Sequence, residues 1–545
     1  MSEKVTKKKL RELTLWGKEE PEKLSEGLVK ELSLLIPSWK IKELKEEELE
    51  QEVSIPPNSL SEKQIAELKE IVGENNLNLD AITRIMYSHG GAGEDLIRVR
   101  TANFSLLTEA VVHPETEEQI IAVMKFCEKN NLSLIVVGGR TGVTRATNLS
   151  KKGITIDLRP HFTKIIHFDK EQLLVRVQTG ILGPELEDYL QRRGCTLGHF
   201  PQSFEQSSVG GWIASRSAGQ NSSLVGKIED MVISLRVCTP QGIVESHLSP
   251  ARATGPQWFR YFIGSEGTLG IITEAVLKIR TDETRNRKFA SFMFPSFQDG
   301  INAMREIYQG EFIPAIGRLS CGNETQAYLL LNREGKVRLK DKLIEFILKT
   351  LKFYPMRRAV FLTVFEGSKE YVKKAKKRVK KIALRHKGLP AGGSYSKKWF
   401  EDRFEHPHLR DSLLDKGLIV DTLETASTWD NVPILEKKVK EAVKDICPLT
   451  IAHLSHSYPS GSAIYFTFFI PLQKNKGLEQ IRELQKRVIT TFQKNGGVVS
   501  HHHGIGKAFK EWGKKEWGET ALKMAEGVKK ELDPDNILNP DNFPF

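Results

Sequence analysis

The chain has no run of about 18 consecutive apolar residues, the length needed to cross a bilayer. Its opening, MSEKVTKKKL, carries charge without the apolar core of a secretion signal. Both absences predict a protein without a membrane span that stays in the cytoplasm. Cysteine is scarce: Cys127, Cys195, Cys238, Cys321 and Cys447 are five, an odd number, far apart and without a C-x-x-C pair. That excludes a disulfide framework and a zinc or iron–sulfur site on paired cysteines, and predicts reduced, mostly buried thiols. Helix-turn-helix, zinc-finger and RNP patterns are also missing, so the net charge of +12 does not read as nucleic-acid binding. Much of the lysine lies in mixed-charge stretches such as EYVKKAKKRVKKIALRHKG, which read as solvated helix faces. Neither an internal repeat nor a low-complexity tract is found.

What is present is globular: 545 residues at 39% hydrophobic, enough for roughly two to four domains. The first hundred or so residues are charged and helix-prone, with a break at Pro56 and Pro57, and read as an extension wrapped on the body. HPETEEQIIAVMKFCEKNNLSLIVVGGRTG then gives a helix opened by Thr116 and Gln119 at capping-box spacing. Its apolar residues Ile120, Val123, Met124 and Cys127 fall on one face, and a buried strand over 132–137 follows. GITIDL and LLVRVQTG read as strands, GPELEDYLQRRG as a helix ending on Gly194, and MVISLRVCTPQGIV as a hairpin. Beyond Arg280, KFASFMFPSFQDGINAMREIYQG and FLTVFEGSKEYVKKAKKRVKKIAL each give a strand then a helix, and AIYFTFFIP a further strand. The class is α+β, with an antiparallel sheet in the second half.

VVGGRTGV (136–143) places glycines after a buried strand, where backbone N–H groups close around a phosphate without side-chain obstruction. It is not G-x-G-x-x-G leading into a helix, and the NTPase loop G-x-x-x-x-G-K-[ST] is absent, so a different nucleotide site is needed. GHFPQSFEQSSVGGWIASRSAGQNSSLVGKIEDMV and ATGPQWFRYFIGSEGTLGIITEAVLKIR are dense in small residues and hydroxyls within apolar surroundings. SHHHGIGKAFKEW (500–512) sets three consecutive histidines before a Gly-x-Gly turn. In an extended segment side chains alternate, so His501 and His503 point together and His502 away. Three neighbours do not readily bind one metal ion, and no metal site is expected.

In this order the glycine-rich motifs resemble the flavin-binding domain of the vanillyl-alcohol oxidase superfamily, also called the p-cresol methylhydroxylase type. The resemblance implies a two-part FAD-binding domain over 104–282, an α+β cap over 283–499 and a closing segment over 500–545, preceded by the helical extension 1–103. It implies that Val137, Gly138, Gly139, Arg140, Thr141, Gly142 and Val143 hold FAD together with Gln202, Ser203, Ser207, Ser208, Gly210, Gly211, Ser215, Arg216 and Ser217. The third motif adds Glu266, Gly267, Thr268, Gly270, Ile271 and Ile272. The first loop departs from the family pattern at Arg140, where a third glycine is usual, and has no histidine there of the kind that links FAD covalently. The resemblance thus implies non-covalent FAD, with Arg140 able to donate to the pyrophosphate.

Within the superfamily, GHFPQSFEQSSVGGW, GNETQ after GRLS, LETASTWDNV, SAIYFTFF, SHHHGIGKAFKEW and LDPDNILNP resemble the alkyl-dihydroxyacetonephosphate synthase family of ether-lipid synthesis. The likeness runs from about Ala81 to the end, and LTLWG near the start adds to it. Flavin-linked 2-hydroxyacid dehydrogenases differ at two metal-ligand positions: they have an acidic residue where this chain has His502, and GDGNxH where it has PSGSAIY. The resemblance implies that the fatty acid of an acyl-dihydroxyacetonephosphate is exchanged for a fatty alcohol without net oxidation, flavin N5 carrying the carbon between the two halves. It implies Tyr465 as a base, His501, His502 and His503 as its source of positive charge and hydrogen bonds, and Arg410 and Arg318 as phosphate-binding cations. FEHPH replaces the aromatic residues that usually precede Arg410. Lipid tails imply an apolar tunnel and peripheral contact with an anionic inner membrane surface. The ending DNFPF is not the peroxisomal S-K-L, and a homodimer follows by family analogy. The alternative on the same flavin motifs is oxidation of a D-2-hydroxyacid.

Overall fold

The computed structural model describes every residue except 1, 2, 17, 19, 105 and 332–338, so Gly17 of the LTLWG stretch lies outside the described residues. A four-stranded sheet runs in the order Leu77–Asn78, Ala110–Val112, Gly153–Asp157, Ser133–Val137, and the last three are parallel. The helix Glu117–Lys129 is the crossover that parallel strands require. Thr116 caps it, its Oγ1 accepting from Gln119 N at 3.3 Å, and Ile120, Val123, Met124 and Cys127 are buried, as the spacing predicts. The strand Ser133–Val137 then delivers the chain into the first glycine loop.

A second, wholly antiparallel sheet runs Gly242–Glu245, Val232–Thr239, Ile271–Lys278, Leu174–Gln178, Ile165–Asp169. The first two strands are the expected hairpin. The helix Gly183–Gln191 stops three residues short of Gly194, which takes φ +72 beyond it.

The third sheet has seven antiparallel strands, in the order Leu389–Pro390, Lys288–Phe294, Ala359–Phe365, Ile316–Ser320, Leu449–Ser457, Gly461–Pro471, Leu418–Thr428. Strand alternation sorts its two faces. Ile464, Phe466, Phe468 and Ile470 join Leu423, Ala452 and Leu454 in the largest hydrophobic core, packed under helices that include Val432–Val443 and Gly477–Lys494. The opposite parity turns Glu424, His453 and Tyr465 to the other face. Register makes them neighbours, since Tyr465 lies opposite Glu424 on one side and opposite His453 on the other.

The N-terminal stretch is less of an appendage than its charge implies. Leu77–Asn78 pairs with Ala110–Val112, and the helix Gly93–Arg100 is buried. Its Glu94 lies 3.2 Å or less from cationic nitrogens of Arg98, Arg145 and Arg482. At the other end, Leu538 bridges to Leu134, and the buried Lys529 donates to the Thr268 and Leu538 carbonyls, both at 2.7 Å. The five cysteines are buried and free. Among the described residues no helix is long and apolar enough to cross a membrane.

Candidate active site

The three glycine-rich motifs meet along one seam. A Cβ on Gly139 would overlap the Gln206 carbonyl oxygen, and one on Gly138 would overlap Ser208 Oγ. Ser208 caps the helix Val209–Ser215 by accepting from Gly211 N at 3.3 Å, and Ser207 Oγ accepts from Trp212 Nε1 at 2.7 Å while donating to Ser203 O. Gly210 presses on Thr179, where a Cβ would stand 3.1 Å from the side chain. The third motif closes on both: Glu266 N donates to Ala214 O at 2.9 Å, and a Cβ on Gly267 would lie 2.9 Å from Val136 Cγ1. Thr268 is buried with its hydroxyl on Ser265 O, and Gly270, Ile271 and Ile272 lead into the second sheet. Around Gly142, by contrast, a Cβ would meet nothing within 4 Å, and Thr141 and Val143 beside it are half-buried.

This seam fits the pyrophosphate and ring of FAD: backbone free of Cβ atoms, a fringe of serine hydroxyls, and buried polar atoms without partners among the described residues, the donor Arg140 Nε and the ring nitrogen His199 Nδ1. Arg140 takes φ +58, a left-handed conformation costing a side-chain-bearing residue about 1–2 kcal/mol, which accounts for the glycine usual there. Its guanidinium turns back over the Tyr87 ring, 5.3 Å from the centroid, toward Met86 O. Alanine at Gly139 would drive its Cβ into the Gln206 backbone and displace the loop, so it is expected to lower both the melting temperature and the flavin-to-protein absorbance ratio.

Several residues assigned to the cofactor by resemblance are otherwise engaged. Gln202 is exposed and donates to Arg403 O, Arg216 pairs with Glu229 at 2.9 Å, Ser215 donates to Gly211 O, and Ser217 Oγ bonds His199 Nε2 at 2.7 Å. The Glu266 carboxylate accepts from Ile505 N and Gly506 N, both at 2.9 Å, and from Asn542 Nδ2 at 2.7 Å. It is a clasp that fixes the histidine segment onto the third flavin loop. From sequence alone, an acid within a glycine loop cannot be told from a ligand.

The histidines do not alternate as a strand would. Residues 501–503 bend, because their three successive N–H groups converge on the Glu424 carboxylate at 2.9–3.1 Å, the concave arrangement of an anion nest. Ser500 Oγ adds a fourth donor at 2.7 Å. The curl splits the rings differently from the expectation. His502 and His503 face Tyr465, with centroids 6.2 and 5.5 Å away, whereas His501 turns outward to Tyr458, its Nε2 2.7 Å from Oη. His456, at φ +49 in a bulge, stacks on His501, packs tilted against His502 and bonds Ser222 Oγ at 2.7 Å. Lys227 Nζ holds the His501 carbonyl at 2.8 Å. Nitrogen and oxygen atoms of Glu424, His501 and His502 lie within 4.8 Å of one another. Backbone donors already crowd that carboxylate, and the two Nδ1 atoms face each other at 3.1 Å, so the group reads as a hydrogen-bonded cluster.

The electrostatics reverse one expectation. Burial, aided by the charge of His502, pushes His501 down to about 3 and His503 to about 4, so both rings are neutral at pH 7. Burial also pushes the Tyr465 phenol up to about 12, with the nearby Glu424 adding to it. Tyr465 is therefore a proton donor near neutral pH, and these two histidines do not supply the positive charge a phenolate base would need. Glu424 stays ionised: burial opposes this, but its pairing with the His502 ring, electrostatic whenever that ring carries a proton and by hydrogen bond, holds it well below the usual carboxylate range.

The two arginines divide. Arg318 lies behind Tyr465, donating to Glu324 and meeting His453 Nε2 at 2.8 Å, while His453 stacks on Tyr465 at 5.1 Å. Burial opposes ionisation of Glu324, yet His453 and Arg318 bring it down to about 2, so the Arg318 charge is already matched and it is not placed as a phosphate ligand. Arg410 is placed differently: it donates to Gly91 O at 2.6 Å, stands 5.3 Å from the Trp16 ring, and keeps a buried Nε without a partner among the described residues. Its charge acts on Tyr465 and on the buried Asp421. Glu424, His456, Lys227, Tyr458 and Trp16 were not singled out from sequence. Each makes its contacts at this site with residues far along the chain, and the one available signal was an acid inside the long strand LIVDTLETAST.

Residues 108–246 match the family described as FAD binding domain, and residues 283–543 the C-terminal domain of FAD linked oxidases. An alkyldihydroxyacetonephosphate synthase of Dictyostelium discoideum is 32% identical, the alignment covering 89% of this chain and 81% of that protein. Its counterpart in Caenorhabditis elegans is 30% identical over 87% and 82% respectively. A solved structure of an alkyldihydroxyacetonephosphate synthase superposes with a TM-score of 0.77 at 29% identity, covering 92% of this chain and 89% of that one.

Proposed function

Because this chain belongs to the alkyldihydroxyacetonephosphate synthase family of FAD-dependent enzymes, we propose that it exchanges the acyl chain of an acyl-dihydroxyacetonephosphate for a fatty alcohol, giving an ether-lipid precursor and a free fatty acid. The observation that carries this reading is the Glu266 clasp, which ties the histidine turn, and through it Tyr465, to the loop that closes the flavin seam. Gly138, Gly139, Gly142, Ser207, Ser208 and Gly211 would hold FAD without a covalent link, and the flavin would supply a nucleophilic ring nitrogen that divides one hard displacement into two easier ones.

The chain's own groups do the rest. Arg410, with an uncommitted buried N–H, binds the substrate phosphate, for which the guanidinium fork suits a dianion. The Tyr465 hydroxyl donates to the departing carboxylate, which needs a donor and not a base. His502, with Glu424 at 3.4 Å from its Nδ1, accepts the proton of the incoming alcohol. Arg318, Glu324 and His453 hold the far side of the Tyr465 ring. The lipid tails place the enzyme at a membrane surface, which a net charge of +12 favours when that surface is anionic.

The experiment is an anaerobic incubation of the FAD-loaded protein with both substrates and no electron acceptor. Exchange turns over many times under these conditions. A protein that oxidises a D-2-hydroxyacid would instead be bleached by that acid and stop after one equivalent.

A further inference from the structure

Exchange of an ester for an alcohol releases a fatty acid that is ionised at neutral pH, so each turnover leaves one proton in a buried site. Around His501 the structure holds Glu424 on its N–H, Lys227 on its carbonyl, His456 and His502 against its ring, and Tyr458 at its far nitrogen. His501 Nδ1 lies 3.1 Å from His502 Nδ1, and its Nε2 2.7 Å from Tyr458 Oη. Tyr458 in turn lines an open groove of about 730 Å³ at the end of the Leu418–Thr428 and Gly461–Pro471 strands, together with Ser427, Thr428, Asp430, Asn431 and Ser460. The groove mixes these polar groups with the apolar Ala426, Ile434 and Val498, and Asp430 at its rim is exposed.

We propose that His501 and Tyr458 are a proton relay that carries the released proton from His502 to this groove. The inference rests on the exchange reading. His502 Nδ1–H passes its proton to His501 Nδ1, His501 Nε2–H passes one to Tyr458 Oη, and the Tyr458 hydroxyl proton leaves to water in the groove. No other bond changes and no co-reactant is needed. A ring as hard to protonate as the buried His501 transmits a proton without trapping it. Burial, followed by the nearby carboxylates of Glu229 and Asp230, pushes the Tyr458 phenol up, so it relays as a hydroxyl and not as a phenolate.

The test is Tyr458→Phe, which keeps the ring and removes the hydroxyl. FAD content and flavin spectrum are expected to match the wild type. The exchange kcat should fall about a hundredfold, the lower end for a positioned proton-transfer group, with KM unchanged and activity recovered by added imidazole. Under single turnover in weak buffer with a pH indicator, the wild type should release its proton together with the fatty acid, and the variant's proton should lag. Wild-type rates and synchronous proton release in the variant would overturn the relay, as would lost activity that imidazole does not restore. Should the variant fail to fold, Ser460→Trp, which obstructs the groove from an exposed position, should produce the same lag, and synchronous release there would also overturn it. If the wild type makes no ether product, the exchange reading fails instead, so the two failures are told apart.

Discussion

Glutamine in place of Glu424 is expected to abolish exchange and to destabilise the protein by about 3 kcal/mol or more. The carboxylate is 3% exposed and accepts from the N–H groups of His501, His502 and His503 and from the Ser500 hydroxyl. An amide turns two of its own donors toward that set, leaving buried donors facing donors, at about 1–3 kcal/mol for each unsatisfied group. The turn that aims His502 and His503 at Tyr465 loses the anion it curls around. Urea unfolding measures the first effect, and product formation the second. A variant as stable and active as the wild type would show that the turn is held by other contacts.

The same cluster sets a pH dependence. His501 and His503 have folded values of about 3 and about 4, below the ordinary histidine value of about 6.5. The unfolded chain therefore binds protons first, and their contribution, fully present above about 6.5, is lost as pH falls toward the folded values. Glu424, also depressed, adds a loss that begins only below the ordinary carboxylate value of about 4.3. The melting temperature should decline from pH 7 to 5 through the histidines and more steeply below. In the glutamine variant that last, steeper limb should be reduced.

Phenylalanine at Tyr465 gives the second large effect: FAD content and stability near wild type, with exchange reduced by roughly 10²- to 10⁴-fold, the range for a positioned proton donor. The ring would keep its stacking on His453 and its approach to His503. Only the hydroxyl that assists the departing carboxylate is removed. Because the phenol is pushed up to about 12, the wild-type profile between pH 6 and 9 should show no step from its ionisation. Full activity in the variant would remove Tyr465 from the chemistry.

The legible parts of this protein are those in which local sequence does the work. Thr116 and the spacing of Ile120, Val123, Met124 and Cys127 announce their helix, and glycines that tolerate no Cβ mark the flavin seam. The alternation in SAIYFTFF puts Tyr465 and Phe466 on opposite faces. What was not legible depends on tertiary placement. An alternating reading of three histidines is sound for a strand and fails here because a carboxylate 77 to 79 residues earlier gathers their N–H groups. Glu266 resembles a cofactor ligand until the C-terminal segment folds over it, and Arg318 a phosphate ligand until Glu324 is seen to neutralise it. Trp16 lies against Arg410, 394 residues away, in the part of the sequence where the motif resemblance is weakest.

The central claim is tested most directly by giving purified, FAD-loaded protein an acyl-dihydroxyacetonephosphate with a deuterated fatty alcohol and following the products by mass spectrometry. Exchange predicts a deuterated ether lipid and an equal amount of unlabelled fatty acid. Unchanged substrates, with intact flavin and both lipids accessible in micelles, would contradict it.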